Sequence, residues 1–300
     1  MDKVIFKRCA VAFLDILGFK EFMRNVEIPD SKEYGDFCQL QRVVSNQLAC
    51  TTDDDREQHL FPKDVGLEII YISDSFILSA PISSGDQAGY NGLVAVSIKA
   101  IQLAHQLLKM GFLLRGGVAV GTVYRTDSNI FGTGYQKAYE TECQCARTPR
   151  ILLHESAEEV LKHCFHFGCP IRILSIVMKD GSDSILDTLN SHWGYIGQDR
   201  DCDVPQIYDG YRTKIEENLS KLEVGGRREK WEWMAELFNA KQKDASDLHG
   251  VTRISEDKFS NVVFGQANNP EQTTFREAFG PFIGRSKHVT IGVPNSPETK

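Results

Sequence analysis

Two aspartates stand where apolar runs end. Val11-Ala12-Phe13-Leu14 has the length and composition of a buried strand and stops at Asp15. Ile16, Leu17, Gly18 and Phe19 follow, and Lys20-Glu21-Phe22-Met23 can start a helix. A carboxylate at a strand end can hold a divalent cation, and the free N–H groups of a helix N-terminus can hold phosphate oxygens. Gly18 lets the main chain come close to such a ligand. The second aspartate lies in Ile69-Ile70-Tyr71-Ile72-Ser73-Asp74-Ser75-Phe76-Ile77-Leu78-Ser79-Ala80. Two apolar strands flank Ser73-Asp74-Ser75, which puts Asp74 at a hairpin tip. If the strands are neighbours, the two acids can share a pair of cations, an arrangement that clamps an in-line displacement at phosphorus. Each acid also has a plain structural reading, since acids end many strands and Asp favours turns.

Two further motifs follow. Leu114-Arg115-Gly116-Gly117-Val118-Ala119-Val120-Gly121 is a strand interrupted by a glycine pair, which marks a bulge or a close approach of the backbone to something else. Ile130-Phe131-Gly132 comes next; Gly132-Thr133-Gly134 is not followed by Gly-Lys-Ser/Thr, so no Walker-type loop is present. Taken in order, the four motifs resemble the class III nucleotide cyclases, and most of all the short bacterial pyrimidine (uridylate or cytidylate) cyclases of the anti-phage Pycsar system. The resemblance spans residues 5–190.

The resemblance implies two Mn2+ or Mg2+ ions bound by Asp15 and Asp74, with the Ile16 carbonyl completing one shell. It implies that the backbone through Leu17, Gly18, Phe19 and Lys20 cradles a triphosphate and that Arg115 contacts phosphate. The implied reaction is attack of the ribose 3′-hydroxyl on the α-phosphorus of UTP or CTP, giving cyclic UMP or cyclic CMP and pyrophosphate. A cyclic-nucleotide-gated effector would act downstream through the product. Purine cyclases carry a charged base reader where this chain has Ile70, whose side chain neither donates nor accepts a hydrogen bond. A second base-reading position matches Asn129, and the Asn and Arg that act near ribose and α-phosphate match Gln136 and Glu140. Gln136 can still bond a ribose. Glu140 cannot stabilise developing negative charge, which leaves that role vacant or filled by Lys137, Arg147 or Arg150. An aromatic, Phe6 or Phe13, is expected to stack on the base. In the resembled family the metal-holding and base-reading halves come from two subunits, so a head-to-tail homodimer with interfacial sites is expected. A purine cyclase and a catalytically silent, nucleotide-binding cyclase-homology module are the alternatives.

The 300-residue chain is 41% apolar and 25% charged, ordinary values for a soluble domain, and its net charge of −7 argues against a general nucleic-acid surface. A triphosphate site stays compatible with that charge because bound cations supply positive charge locally. The eight cysteines form no Cys-x-x-Cys pair, which argues for reduced, scattered thiols. There is no signal peptide at Met1–Arg8 and no apolar run of membrane-spanning length, so a cytoplasmic protein is expected.

The elements that must position these residues can be read as well. A first strand covers 4–15, helices cover 19–26 and the stretch after Ser31, and a hairpin covers 66–81. An amphipathic helix fills 92–110, closed by Gly111 and carrying His105 in a structural role. A strand over 112–124, a helix over 135–146, a strand over 151–153, a helix over 155–163 and strands at 171–178 and 184–189 complete the reading. This order suits an α+β, ferredoxin-like class III cyclase fold, with helices on one face of a mainly antiparallel sheet. Asp53-Asp54-Asp55 reads as a solvated loop. Residues 1–190 are expected to form the catalytic domain. Residues 191–300 are expected to form an extension of two helices, near 206–222 and 227–243, and an irregular tail.

Overall fold

The computed structural model describes residues 4–49, 65–82, 92–126, 128–166, 176–191, 203–244, 248 and 250–258. The triple-aspartate run, most of the expected strand at 171–178 and the tail lie outside them.

The alternation of Val, Ala, Phe and Leu builds a central strand, β1 (Lys7–Leu17), of which Cys9 to Leu14 is buried without a break. A strand buried on both faces needs cover on both, and the rest of the chain supplies it. The other elements are α1 (Phe19–Val26), α2 (Lys32–Ala49), β2 (Glu68–Ile72), β3 (Ser75–Pro81), α3 (Gly92–Lys109), β4 (Leu113–Arg125) and β5 (Ile130–Phe131). Then come α4 (Thr133–Cys145), β6 (Ile151–Leu153), α5 (Glu155–His166), β7 (Val177–Asp180) and β8 (Asp183–Leu186). Two helices follow, α6 (Val204–Lys221) and α7 (Gly226–Asp244), and a short 3-10 turn at Glu256–Lys258.

The sheet runs β2-β3-β1-β4-β6-β8-β7, with β5 on β4. Among the described residues only β4 and β6 are parallel; the other pairings are antiparallel. The fold is therefore α+β with a mixed, mostly antiparallel sheet and C-terminal helices. Strand alternation sorts β1 onto two faces. Ala10, Ala12, Leu14 and Ile16 join the core that holds Leu40 and Val44 of α2, most of the apolar face of α3, and Ala157, Val160 and Leu161 of α5. Cys9, Val11 and Phe13 lie on the other face under Ala138 of α4.

Helices therefore cover both faces, where one covered face was expected. The second face is completed by α6 and α7: Tyr208, Tyr211, Trp231, Met234 and Phe238 share a cluster with Leu113, Leu152 and Ile185. His105 joins α6 to α3 through its Nδ1, 2.8 Å from the Tyr211 hydroxyl. Full burial holds its pKa down at about 3, so the ring is neutral and structural.

The glycine pair of β4 makes no bulge. The β1–β4 register runs unbroken from Leu17 against Leu113 to Lys7 against Val123. A Cβ on Gly117 would lie 2.4 Å from the Ala138 carbonyl oxygen, and one on Gly121 would lie 2.5 Å from the Gly134 nitrogen. The close approach that the glycines mark is therefore to α4 at Gly117 and Gly121, and to Phe13 and Leu14 of β1 at Gly116. Ser31 precedes α2, but its buried hydroxyl makes no hydrogen bond and does not cap the helix.

Candidate active site

Asp15 is the third residue from the end of β1 and lies between two neighbours, Ser75 of β3 and Arg115 of β4. Asp74 occupies the β2–β3 turn, directly before Ser75. The turn is tight enough to put Ser73 in the left-handed region at φ 59°. The Ile16 amide donates to the Asp74 carbonyl over 2.9 Å, so the Ile16 peptide faces the hairpin tip. Two acids separated by nearly sixty positions thus reach one end of the sheet on adjacent strands.

The charge around them is concentrated. Arg115 Nε donates to Asp15 Oδ2 over 3.1 Å and lies 2.6 Å from Glu142 Oε1 on α4. The contact with Glu142 is an ion pair without hydrogen-bond geometry, because that oxygen is buried and accepts no hydrogen bond. Burial raises the Asp15 pKa; Arg115 opposes the rise, while the charges of Glu142 and Asp74 add to it. Tyr71, one turn of the hairpin away, has its pKa pushed up to about 12 by burial and by Asp74.

Beside this cluster α1 begins. Gly18 caps it at φ 80°, a left-handed conformation that suits glycine, and no side chain caps the helix. A Cβ at Gly18 would meet nothing within 4 Å, so the left-handed backbone and not crowding is what calls for glycine here. Phe19 is buried and anchors the turn, Leu17 packs partly against the α6–α7 cluster, and Lys20 is exposed. Any contact that Phe19 makes with an anion is thus through its backbone.

The remaining predicted residues lie elsewhere. Phe13 is buried, its ring edge-on to Tyr139 at 5.1 Å and close to Tyr135, so it packs α4 onto β1. Phe6 is exposed and packs on Tyr124 at the opposite end of β1. Asn129 is exposed in the β4–β5 turn, where its amide donates to Thr126 Oγ1. It lies beyond the far end of β4, more than ten residues from Arg115, or roughly 30 Å along an extended strand. Gln136 and Glu140 are exposed on α4, and Ile70 is buried in the sheet. Arg150 is committed to Asp180 at 2.8 Å and Asp183 at 3.1 Å.

A hard divalent cation suits the donors at the Asp15 end, which are two carboxylates and a main-chain carbonyl on one side of a turn. Among the described residues no group of three or more His, Cys, Asp or Glu side chains converges as a complete metal cage. Water and substrate oxygens would have to supply the rest of a shell. Chemically, the arrangement can hold a cation against an anion that is also held by helix amides and a guanidinium.

Sequence reasoning missed Glu142. The signal was available: Gly134, Ala138 and Glu142 are four apart on α4 and are its buried residues, so a carboxylate sits on a small-residue stripe. A helix near 227–243 is expected from the sequence, whereas the contact it makes with α1, Arg227 to Glu21 over 2.6 Å, is not. No local pattern in residues 226–244 pointed to that contact.

No protein-family model and no curated protein matches the chain. Among solved structures there is a distant likeness to the catalytic core of a rhodopsin-guanylyl cyclase with converted specificity, in complex with ATPαS. A second likeness is to the monomeric guanylyl cyclase domain of the RhoGC fusion protein from the aquatic fungus Blastocladiella emersonii. Each is 13% identical over 61% of this chain, covers 95% and 96% of those chains respectively, and has a TM-score of 0.37. Among the described residues no helix is long and apolar enough to cross a membrane.

Proposed function

We propose that the chain is a nucleotide cyclase, converting a pyrimidine nucleoside triphosphate, UTP or CTP, to its 3′,5′-cyclic monophosphate and pyrophosphate. The observation that carries this reading is the meeting of Asp15 and Asp74 beside the uncapped N-terminus of α1. In this reading the two carboxylates and the Ile16 carbonyl hold divalent cations, Mn2+ or Mg2+. Such cations, when bound, lower the pKa of a ribose hydroxyl and offset charge on leaving phosphates. The amides from Gly18 to Lys20 receive phosphate oxygens, helped by the partial positive charge of the helix end. Arg115, already oriented by Asp15 and Glu142, presents its remaining N–H groups to phosphate. Ile70 stands where the resemblance implies a charged purine reader and can make no side-chain hydrogen bond, which favours the pyrimidine branch.

Residues 1–190 are the unit assigned to catalysis in this reading. Asn129 lies beyond the far end of β4, too far for a nucleotide held at Asp15 of the same chain. A second copy arranged head-to-tail would supply it, giving two equivalent sites per homodimer. Exposed Phe131 and Tyr139, on the same side as Gln136, suit such an interface. A role as signal generator in anti-phage defence, with a product-gated effector downstream, follows from the motif resemblance alone.

The second reading is a nucleotide-binding module without turnover. The observation favouring it is that Asp15 Oδ2 is engaged by Arg115, so a cation would have to share that oxygen. One experiment separates the readings: incubation with each of the four nucleoside triphosphates and Mn2+, with products resolved by chromatography. Cyclic UMP or cyclic CMP supports the proposal. A cyclic purine nucleotide moves the assignment to a purine cyclase, and tight binding with no pyrophosphate release establishes the silent module.

A further inference from the structure

The helix α7 brings a cation to the Asp15 end of the sheet. Its buried residues Trp231, Met234, Leu237 and Phe238 seat it in the cluster that includes Leu113 of β4, two residues before Arg115. Its first turn is tied to the first turn of α1 by Arg227 and Glu21 at 2.6 Å. Lys230 is three residues after Arg227, hence on the same side of α7, and directly precedes the buried anchor Trp231. It is half-buried. No carboxylate among the described residues forms an ion pair with its ammonium, although Asp15 and Glu229 are close enough to act on it electrostatically. Burial lowers its pKa, and the charges of Arg115 and Arg227 lower it further.

Arg115 is already offset by Asp15 and Glu142, whereas the Lys230 ammonium has no ion-pair partner among the described residues, so Lys230 is the cation at this end that can still take an anion. The uncapped first turn of α1 and Arg115 stand at the same end of the sheet, and both can receive an anion. The sequence has no cation at the Glu140 position of α4, and Arg150 is taken up by Asp180 and Asp183.

We propose that Lys230, on the C-terminal helix α7, contacts the phosphates of a metal-bound polyphosphate at the Asp15–Arg115 site. The C-terminal extension is then part of the site itself. The identity of the ligand as a nucleoside triphosphate rests on the cyclase reading; the contact with a polyphosphate does not.

The test is calorimetric titration of the full chain with inorganic tripolyphosphate in the presence of Mn2+. Lys230→Ala should weaken binding by about 10- to 100-fold, the range of a lost charge-assisted hydrogen bond. Lys230→Arg should restore most of it, and titration with Mn2+ alone should not weaken in either variant. Lys230→Gln, with its thermal melt compared with wild type, serves if the alanine variant is poorly folded. Tripolyphosphate binding by Lys230→Ala or Lys230→Gln at wild-type strength overturns the proposal, as does a wild-type chain that does not bind the probe. Lys230-dependent binding in a protein that cyclises no nucleotide sinks the cyclase reading and keeps this one. Cyclisation with Lys230-independent binding does the reverse.

Discussion

The strand β4 carries an arginine near each end, Arg115 and Arg125, ten residues apart and therefore on the same face. Each pairs with a glutamate at 2.6 Å, yet the two ends differ in kind. At the Arg125 end the partner Glu68 has a side chain 58% exposed, and the guanidinium also donates to Ser79 Oγ. That is a solvated pair tying β4 to the hairpin. At the Arg115 end the partner Glu142 is 3% exposed, Asp15 is a second partner, Asp74 acts from the neighbouring turn and Lys230 stands near. Exposed pairs contribute about 0–1 kcal/mol, whereas uncompensated buried charge costs several. One end gathers three carboxylates and two cations under partial cover, which is the end the cyclase proposal uses, while the other end ties the sheet together.

The largest expected effect breaks or keeps that distinction outright. Asp15→Ala or Asp74→Ala should lower Mn2+-dependent cyclic nucleotide formation at least about a hundredfold, with little change in the far-UV circular dichroism spectrum. Wild-type rates in either variant would reduce the Arg115 end to a salt-bridge cluster of the same kind as the Arg125 end.

Next in size is stability. Arg115→Met keeps the packed stem but strands Glu142, and should destabilise the protein by about 3 kcal/mol in urea unfolding. Arg125→Met leaves only a solvated glutamate behind and should cost about 1 kcal/mol. Equal losses would mean that burial of the glutamate partner is the wrong ground for separating the two ends.

Between these lies the helix that carries Glu142. Gly117→Ala drives a methyl to 2.4 Å from the Ala138 carbonyl, so α4 must shift, at about 1–3 kcal/mol. Because the shift moves Glu142 relative to Arg115, activity should fall as well. A Gly117→Ala chain that melts and turns over as wild type would show that α4 is not held against β4 at this point.

These glycines also show where the sequence was legible and where it was not. The strand ends, the hairpin tip and the start of α1 are written in local patterns: apolar runs stopped by Asp15 and Asp74, and Gly18 before a helix. Pairing of β1 with β3 and β4 follows from burial on both faces. What a glycine makes room for is a tertiary fact, and Gly116-Gly117 reads identically whether phosphate or a helix approaches. Likewise Lys230 sits in a helix whose apolar stripe was plain, but where that stripe docks is set by Leu113, Leu152 and Ile185 on distant strands. For Glu142 the signal is present but faint: Gly134 and Ala138 share its stripe at helical spacing, yet residues that small mark a buried face only weakly.

The smallest effect concerns the proton on Asp15. Its carboxyl titrates above the ordinary value of 3.8, chiefly because it is buried, with Arg115 opposing. A carboxyl that binds its proton more tightly in the folded chain stabilises the fold below that ordinary value, and the contribution is lost as pH rises through the elevated one. At neutral pH the ionised group is therefore a liability. Asp15→Asn keeps an acceptor for Arg115 Nε and removes the charge, so at pH 7 it should melt about 2 °C above wild type while losing turnover. The difference should close as pH falls below 3.8, where the wild-type carboxyl is protonated in both states. Glu68→Gln at the other end should show no such gain, since Glu68 is solvated. If Asp15→Asn instead melts below wild type at pH 7, the Asp15–Arg115 pair is a net stabiliser and the two ends of β4 are alike after all.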